Sequence, residues 1–370
     1  MQFAAGFGLC VAVLFALTWG SRSAMAFPDF VRHGYTTCLT CHMSPSGGGV
    51  LTPYGKFVGG ELLGRFNDSS TALPWLVTPE ENKLFTAMYM GRATQSYFDT
   101  PFLRRGDLVL MQSDIEGGLS NEKLFAFATV GFKLDSKTST ESRWTPFFRR
   151  FYAGAKAQNY AVRVGKFFPE FGINHPNHNI ATRKGMFFNH NEEPLIAHAS
   201  WYGSNVDLNA SVFRGEANTE LAERVGYTLN FLYRTPHTRS GMSFLSASKD
   251  SATTRAYSVH TQLGYLTEGY TLLEYGLKQK IAEGVTTNTQ LVFLESGYEV
   301  TKGIIPYLGF QLNDNITART RTMTLPAVGA RLYPFTHSEL IVEAGQTHFM
   351  TAGNDKGRGL TMFAMLNIYF

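Results

Sequence analysis

The stretch VGYTLNFLYR, Val225 to Arg234, alternates without a break. Val225, Tyr227, Leu229, Phe231 and Tyr233 fall on one face, while Gly226, Thr228 and Asn230 fall on the other. Period two puts successive side chains on opposite faces of an extended chain, so this is a strand with one apolar side. The pattern recurs. Tyr257, Val259, Thr261, Leu263 and Tyr265 oppose Ser258, His260, Gln262 and Gly264. Thr271, Leu273, Tyr275 and Leu277 oppose Leu272, Glu274, Gly276 and Lys278, and Leu360, Met362, Ala364, Leu366, Ile368 and Phe370 share the last apolar face.

Strands this long, numerous and aromatic exceed what a soluble sandwich needs. A transmembrane β-barrel takes about 9 to 11 residues per strand, apolar outside and polar or small inside, with aromatic girdles. It also closes its edges, which an open sheet in lipid cannot do. Composition agrees: 30 Phe, 17 Tyr and 36 Gly among 370 residues, with only 17% charged. Soluble domains carry roughly 25% charged residues. A net charge of +4 over this length does not suggest nucleic-acid binding.

Fifteen strands can be counted from Asp107 onward. Bacterial single-chain barrels have an even number. Leu84–Arg92, LFTAMYMGR, also alternates and makes sixteen. The alternative is a helix over 80–92 and fourteen strands. Polar links at 135–144, 169–194, 215–222, 248–254, 314–322 and 350–357 read as long outer loops. Short links such as 157–159 and 335–337 read as periplasmic turns. The expected fold is thus all-β: an antiparallel transmembrane barrel over 81–370, preceded by a short irregular or helical segment.

Residues 1–26 read as a signal peptide, an apolar core ending in Ala24-Met25-Ala26, although no basic residue follows Met1. An uncleaved anchor is the alternative. After cleavage only Cys38 and Cys41 remain, and a disulfide between them would close a tiny ring and pin nothing distant. They lie in CLTCHMSPSGGG, residues 38–49. Cys-x-x-Cys-His is the attachment motif of c-type haem, the two thiols bonding the haem edge and the histidine facing the iron. The expectation is one covalent haem c held by Cys38 and Cys41 within a periplasmic segment, 27–80. His42 would be the proximal iron ligand and His33 the second, with Met88 or Met90 as alternatives. Zinc is the competing reading, but three ligands with Cys41 and His42 adjacent suit a tetrahedral site poorly. The Gly47–Gly49 run is either a backbone turned sharply against a flat cofactor or a flexible linker.

In the longest link, His175, His178 and His190 fall within sixteen residues. They could bind a metal, the loop could fold inward and narrow a pore, or it could simply be solvated, the commonest case. Arg163, Arg214, Arg234, Glu274 and Lys278 occupy polar-face positions, which would make a lumen mildly basic. No nucleophile–base pair, phosphate loop or paired carboxylates stand out, so an electron carrier or channel is expected rather than an enzyme, with a barrel enzyme using the haem as the third alternative.

The end of the chain, Ile368-Tyr369-Phe370, resembles the terminal signature of outer-membrane barrels, and Gly165-Lys166-Phe167-Phe168-Pro169-Glu170-Phe171-Gly172 resembles a segment of porin-like proteins of Gram-negative bacteria. Some of those carry an N-terminal mono-haem stretch like 38–49. The broader likeness, of parts only, is to porin–cytochrome conduits. It implies a bacterial outer-membrane location, contact with outer-membrane lipid, and electron transfer with a periplasmic or multihaem cytochrome partner. One haem cannot span a hydrocarbon core of about 30 Å, so a partner cytochrome, a lumen cofactor or oligomerisation would have to complete the path. The second expectation is a porin for small solutes in which the segment is a plug, a structural staple or a redox sensor.

Overall fold

The computed structural model describes residues 28–44, 47, 49–52, 54–55, 58, 64–66, 84–138, 141–177, 180–187, 193–217, 219–335, 338–352 and 354–369. The signal peptide expected over 1–26, His178, His190 and Phe370 lie outside the described residues.

Sixteen strands close on themselves. They are β1 (Phe85–Asp99), β2 (Arg104–Ser120), β3 (Leu124–Thr138), β4 (Glu141–Lys156), β5 (Tyr160–Lys166), β6 (Leu195–Tyr202), β7 (Val206–Arg214) and β8 (Val225–Thr235). Then come β9 (Thr238–Lys249), β10 (Ala252–Tyr265), β11 (Gly269–Ala282), β12 (Val285–Tyr298), β13 (Ile304–Asn315), β14 (Thr320–Leu332), β15 (Ser338–Thr351) and β16 (Asn354–Tyr369). Every neighbour is antiparallel, and β1 seals against β16 with Met90 opposite Tyr369 and Asp99 opposite Leu360. The even count required the strand at Leu84–Arg92. It is β1, not a helix.

The faces are inverted relative to a soluble protein. On β8, Val225 is 64% and Leu229 51% exposed, whereas Thr228 is 1% and Asn230 5% exposed. On β10, Val259 faces out while Ser258, His260 and Gln262 are buried inside. An apolar exterior over a polar interior is stable only where hydrocarbon replaces water outside. Arg214 departs from its expected place: it shares the exposed face of β7 with Leu208 and Val212.

The strands run further than the polar links suggested. The links at 248–254, 314–322 and 350–357 are mostly ladder, closed by short turns. The cause is that pairing continues beyond the apolar belt with polar side chains. Ser248 pairs with Thr253 and Asp314 with Arg321 within two of these links. Likewise Lys280 pairs with Thr287 and Gln279 with Asn288, up to Ala282 opposite Val285. The two-residue turn there, Glu283-Gly284, has φ of 51° and 77°. Both signs are positive, as a turn matched to strand twist requires, and glycine takes the second position without cost. The true long connections are 167–194 and 215–224.

Candidate functional site: an occupied lumen

The lumen is filled by chain from both ends. From the rim that carries the seven short turns and both ends of the strand wall, the described residues of 28–66 enter the lumen. Among them, Pro28–His33 is a 3-10 turn. Its Arg32 is fully buried, donates to the Thr267 carbonyl at 3.0 Å and pairs with Glu299 at 2.5 Å, both on rim turns. At the far end of the excursion the amides of Arg65 and Phe66 donate to the carbonyls of Tyr333 and Pro334 at 2.9 and 3.0 Å. Both ends are therefore tied to one rim.

Between these ties lies a compact turn. Cys38–Thr40 is a 3-10 turn, with the amides of Cys41 and His42 donating to the Cys38 carbonyl. His42 bridges Leu51 in antiparallel fashion, and the Met43 amide donates to the Val50 carbonyl. Thr52 Oγ1 donates to the Thr40 carbonyl at 2.9 Å and accepts the Gly55 amide at 2.9 Å.

Three wall residues hold the turn. Glu116 on β2 accepts from the Val50 amide at 3.2 Å, from Thr129 at 2.6 Å and from Arg150 at 2.7 Å. Arg163 on β5 donates to Ser44 Oγ at 3.1 Å. Arg239 on β9 lies 3.5 Å from Cys38 Sγ. The last glycine of the run has its reason here. Gly49 has φ of 68°, and a Cβ there would run into the Glu116 carboxylate. Glycine is needed to turn the backbone against a wall carboxylate, not against a cofactor.

From the opposite rim, the connection 167–194 folds inward. Phe171, Ile173, Ile180, Met186 and Phe187 are all buried, and the short helix Ala181–Gly185 packs on β11, β12 and β13. The solvated loop given as the commonest case is thus replaced by a constricting one. Its Glu170 accepts from Arg163 at 3.3 Å, so one guanidinium ties loop and N-terminal segment together. Its His175 places Nε2 2.7 Å from Arg331 and 3.7 Å from Glu295. Burial, and then the positive charge of Arg331, hold the imidazole well below its ordinary range, so it is neutral at neutral pH. Burial pushes the Glu170 and Glu193 carboxyls up.

The lumen charges are largely paired, not a free basic field. Arg163 meets Glu170, Arg234 meets Asp207 at 2.7 Å, and Lys278 meets Glu220 at 3.1 Å. The fully buried Arg331 sits 2.6 Å from Glu295, 3.6 Å from Asp29 of the N-terminal turn and 3.9 Å from Glu339.

These contacts overturn the haem expectation. Among the described residues no group of three or more His, Cys, Asp or Glu could hold a metal ion. Cys38, Cys41, His42 and His33 are occupied otherwise. Cys38 turns to Arg239. Cys41 is buried, with Gly55 packed on its carbonyl. His42 is buried and fixed by its backbone bridge to Leu51. His33 belongs to the rim turn, its ring 5.9 Å from that of Phe30. Met88 and Met90 are wall residues in the apolar packing inside the barrel. A covalent haem c and its iron ligands are therefore withdrawn. The electron-transfer role and its need for a cytochrome partner go with them. Cys-x-x-Cys-His misled because its spacing carries no information about what the chain packs against.

The architecture is that of the outer-membrane porins. OmpT of Vibrio cholerae superposes with a TM-score of 0.59 at 10% identity, covering 77% of this chain and 97% of that one. The outer-membrane channel DcaP of Acinetobacter baumannii gives 0.57 at 10%, covering 77% and 97%. An anion-selective porin from Comamonas acidovorans gives 0.58 at 10%, covering 77% and 99%. No protein-family model and no curated protein sequence matches the chain.

Sequence reading missed Glu116, Arg239, Glu295, Arg331 and Glu339. Their signal was present: a charge at a polar-face position inside an apolar strand, as in LVFLESGY and AVGARLY. What no local pattern supplies is the partner, a residue tens to hundreds of positions away.

Proposed function

We propose that this chain is a porin-type channel of the bacterial outer membrane for small solutes, with residues 28–66 as a lumen plug. In this reading the short turns face the periplasm, and the 167–194 loop enters from outside. The observation that carries the reading is the set of wall contacts made by the plug through Glu116, Arg163 and Arg239. They are polar, mostly single hydrogen bonds, and each is worth only about 0.5–3 kcal/mol net. A segment held by such contacts, tied at both ends to one rim, can shift without the barrel unfolding. The likeness in architecture to porin folds supports the channel reading.

Planar-bilayer recording of the purified protein tests this. The expected result is a small, noisy conductance that rises several-fold when Glu116 and Arg163 are both replaced by alanine. A silent bilayer for both proteins would refute it.

A further inference from the structure

The two thiols inside the plug lack a role in this picture. Both are free, in a chain expected to be exported. They sit at positions i and i+3 of a 3-10 turn, where side chains eclipse on one face. Cys38 is half-buried and touches the wall through Arg239, whereas Cys41 is buried. Cys38, the less buried residue of the two, is assigned the attack on a reagent, and Cys41 the resolution.

We infer that Cys38 and Cys41 form a thiol–disulfide centre whose oxidation by a small-molecule disulfide releases the plug from Arg239. This rests on the plug reading. The chemistry balances. The Cys38 thiolate attacks one sulfur of the reagent disulfide, forming a mixed disulfide and expelling one reagent thiolate. The Cys41 thiolate then attacks Cys38 Sγ, closing Cys38–Cys41 and expelling the second. The reagent is reduced by two electrons to two thiols, which take up the two cysteine protons. Arg239 lies close enough to favour the Cys38 thiolate, opposing the burial that pushes this thiol's pKa up. A ring so small adds little stability through loop entropy, which keeps the bond reversible. Its consequence is local: Cys38 Sγ, now bonded to sulfur, can no longer present a thiol or thiolate to Arg239.

The test treats the full-length reconstituted protein with oxidised glutathione, then measures intact mass and amide exchange over residues 38–52. The expected wild-type result is loss of two hydrogens' mass with no glutathione retained, and several-fold faster exchange in that stretch. Arg239→Ala should reproduce the faster exchange without oxidant. Cys41→Ser should stop at one retained glutathione on Cys38. A glutathione adduct persisting on the wild type would overturn the proposal. So would a closed disulfide with unchanged exchange. Neither readout uses solute flux, so failure of the channel reading would show separately, as absence of flux in both redox states.

Discussion

Glu116, on the barrel wall, accepts the backbone amide of Val50 at 3.2 Å, joining a strand to a segment 66 positions earlier in the chain. The same carboxylate takes Thr129 and Arg150, so it is positioned before the plug arrives. Glu116→Ala should free the plug while leaving Thr129 and Arg150 on a barrel that still closes. The expected result is a several-fold rise in sugar permeation of liposomes, with folding on gels unchanged. Gly49→Val should act in the same direction, because both the positive φ and the nearness of Glu116 exclude a branched side chain.

Arg331 is the structural counterpart. It is fully buried among Glu295, Glu339 and Asp29. Removing one member of a buried charge cluster costs about 3–5 kcal/mol, since the others stay buried without compensation. Arg331→Ala should therefore lower barrel stability by about that amount, measured as urea-induced unfolding from lipid vesicles. Exposed Arg105, paired with Asp107 two residues along the same strand, should be replaceable at a cost of about 0–1 kcal/mol.

His175 gives docking of the 167–194 loop a pH dependence with a definite sign. Docked, its imidazole is held well below its ordinary range by burial and by Arg331. Released, it takes up a proton below about 6.5. Release thus binds protons that the docked state refuses, so docking weakens as pH falls through about 6.5 and gains nothing from this group above it. Glu170 and Glu193, whose carboxyls are pushed up by burial, act in the opposite direction. The clean measurement is the difference between wild type and His175→Asn in amide exchange of the loop. That difference should grow on acidification from pH 7 to 5 and be flat between 7 and 8.

The outward face should behave as a lipid face. Leu229 is 51% exposed near the middle of β8, while its neighbour Thr228 points inward. Leu229→Lys should cost about 2–4 kcal/mol, the penalty for a basic residue near a bilayer midplane. Thr228→Ser should cost far less. Denaturant titration in vesicles measures both, and equal costs would mean the exposed face does not meet hydrocarbon.

The fold was readable because a barrel is written locally. Val225, Tyr227 and Leu229 announce their face by alternation alone, and closure forces an even count that recovers β1 from LFTAMYMGR. Loop lengths were misjudged because residues such as Asp314 and Arg321 look like loop yet pair in register above the belt. The site was readable only as positions. Glu274 and Lys278 fall on the polar face by period two, but the pairing of Glu116 with Val50, or of Arg331 with Asp29, depends on closure and on where the N-terminal segment enters. Cys38, Cys41 and His42 show the converse: a motif read from spacing whose groups the fold sets against the wall and the plug backbone instead of a haem.

Solute flux through the reconstituted protein, with and without residues 28–66, tests the central claim most directly. Liposome swelling in small sugars should be slow for the full chain and several-fold faster for the chain lacking the plug. Equal rates, or no swelling in either, would contradict a plugged porin.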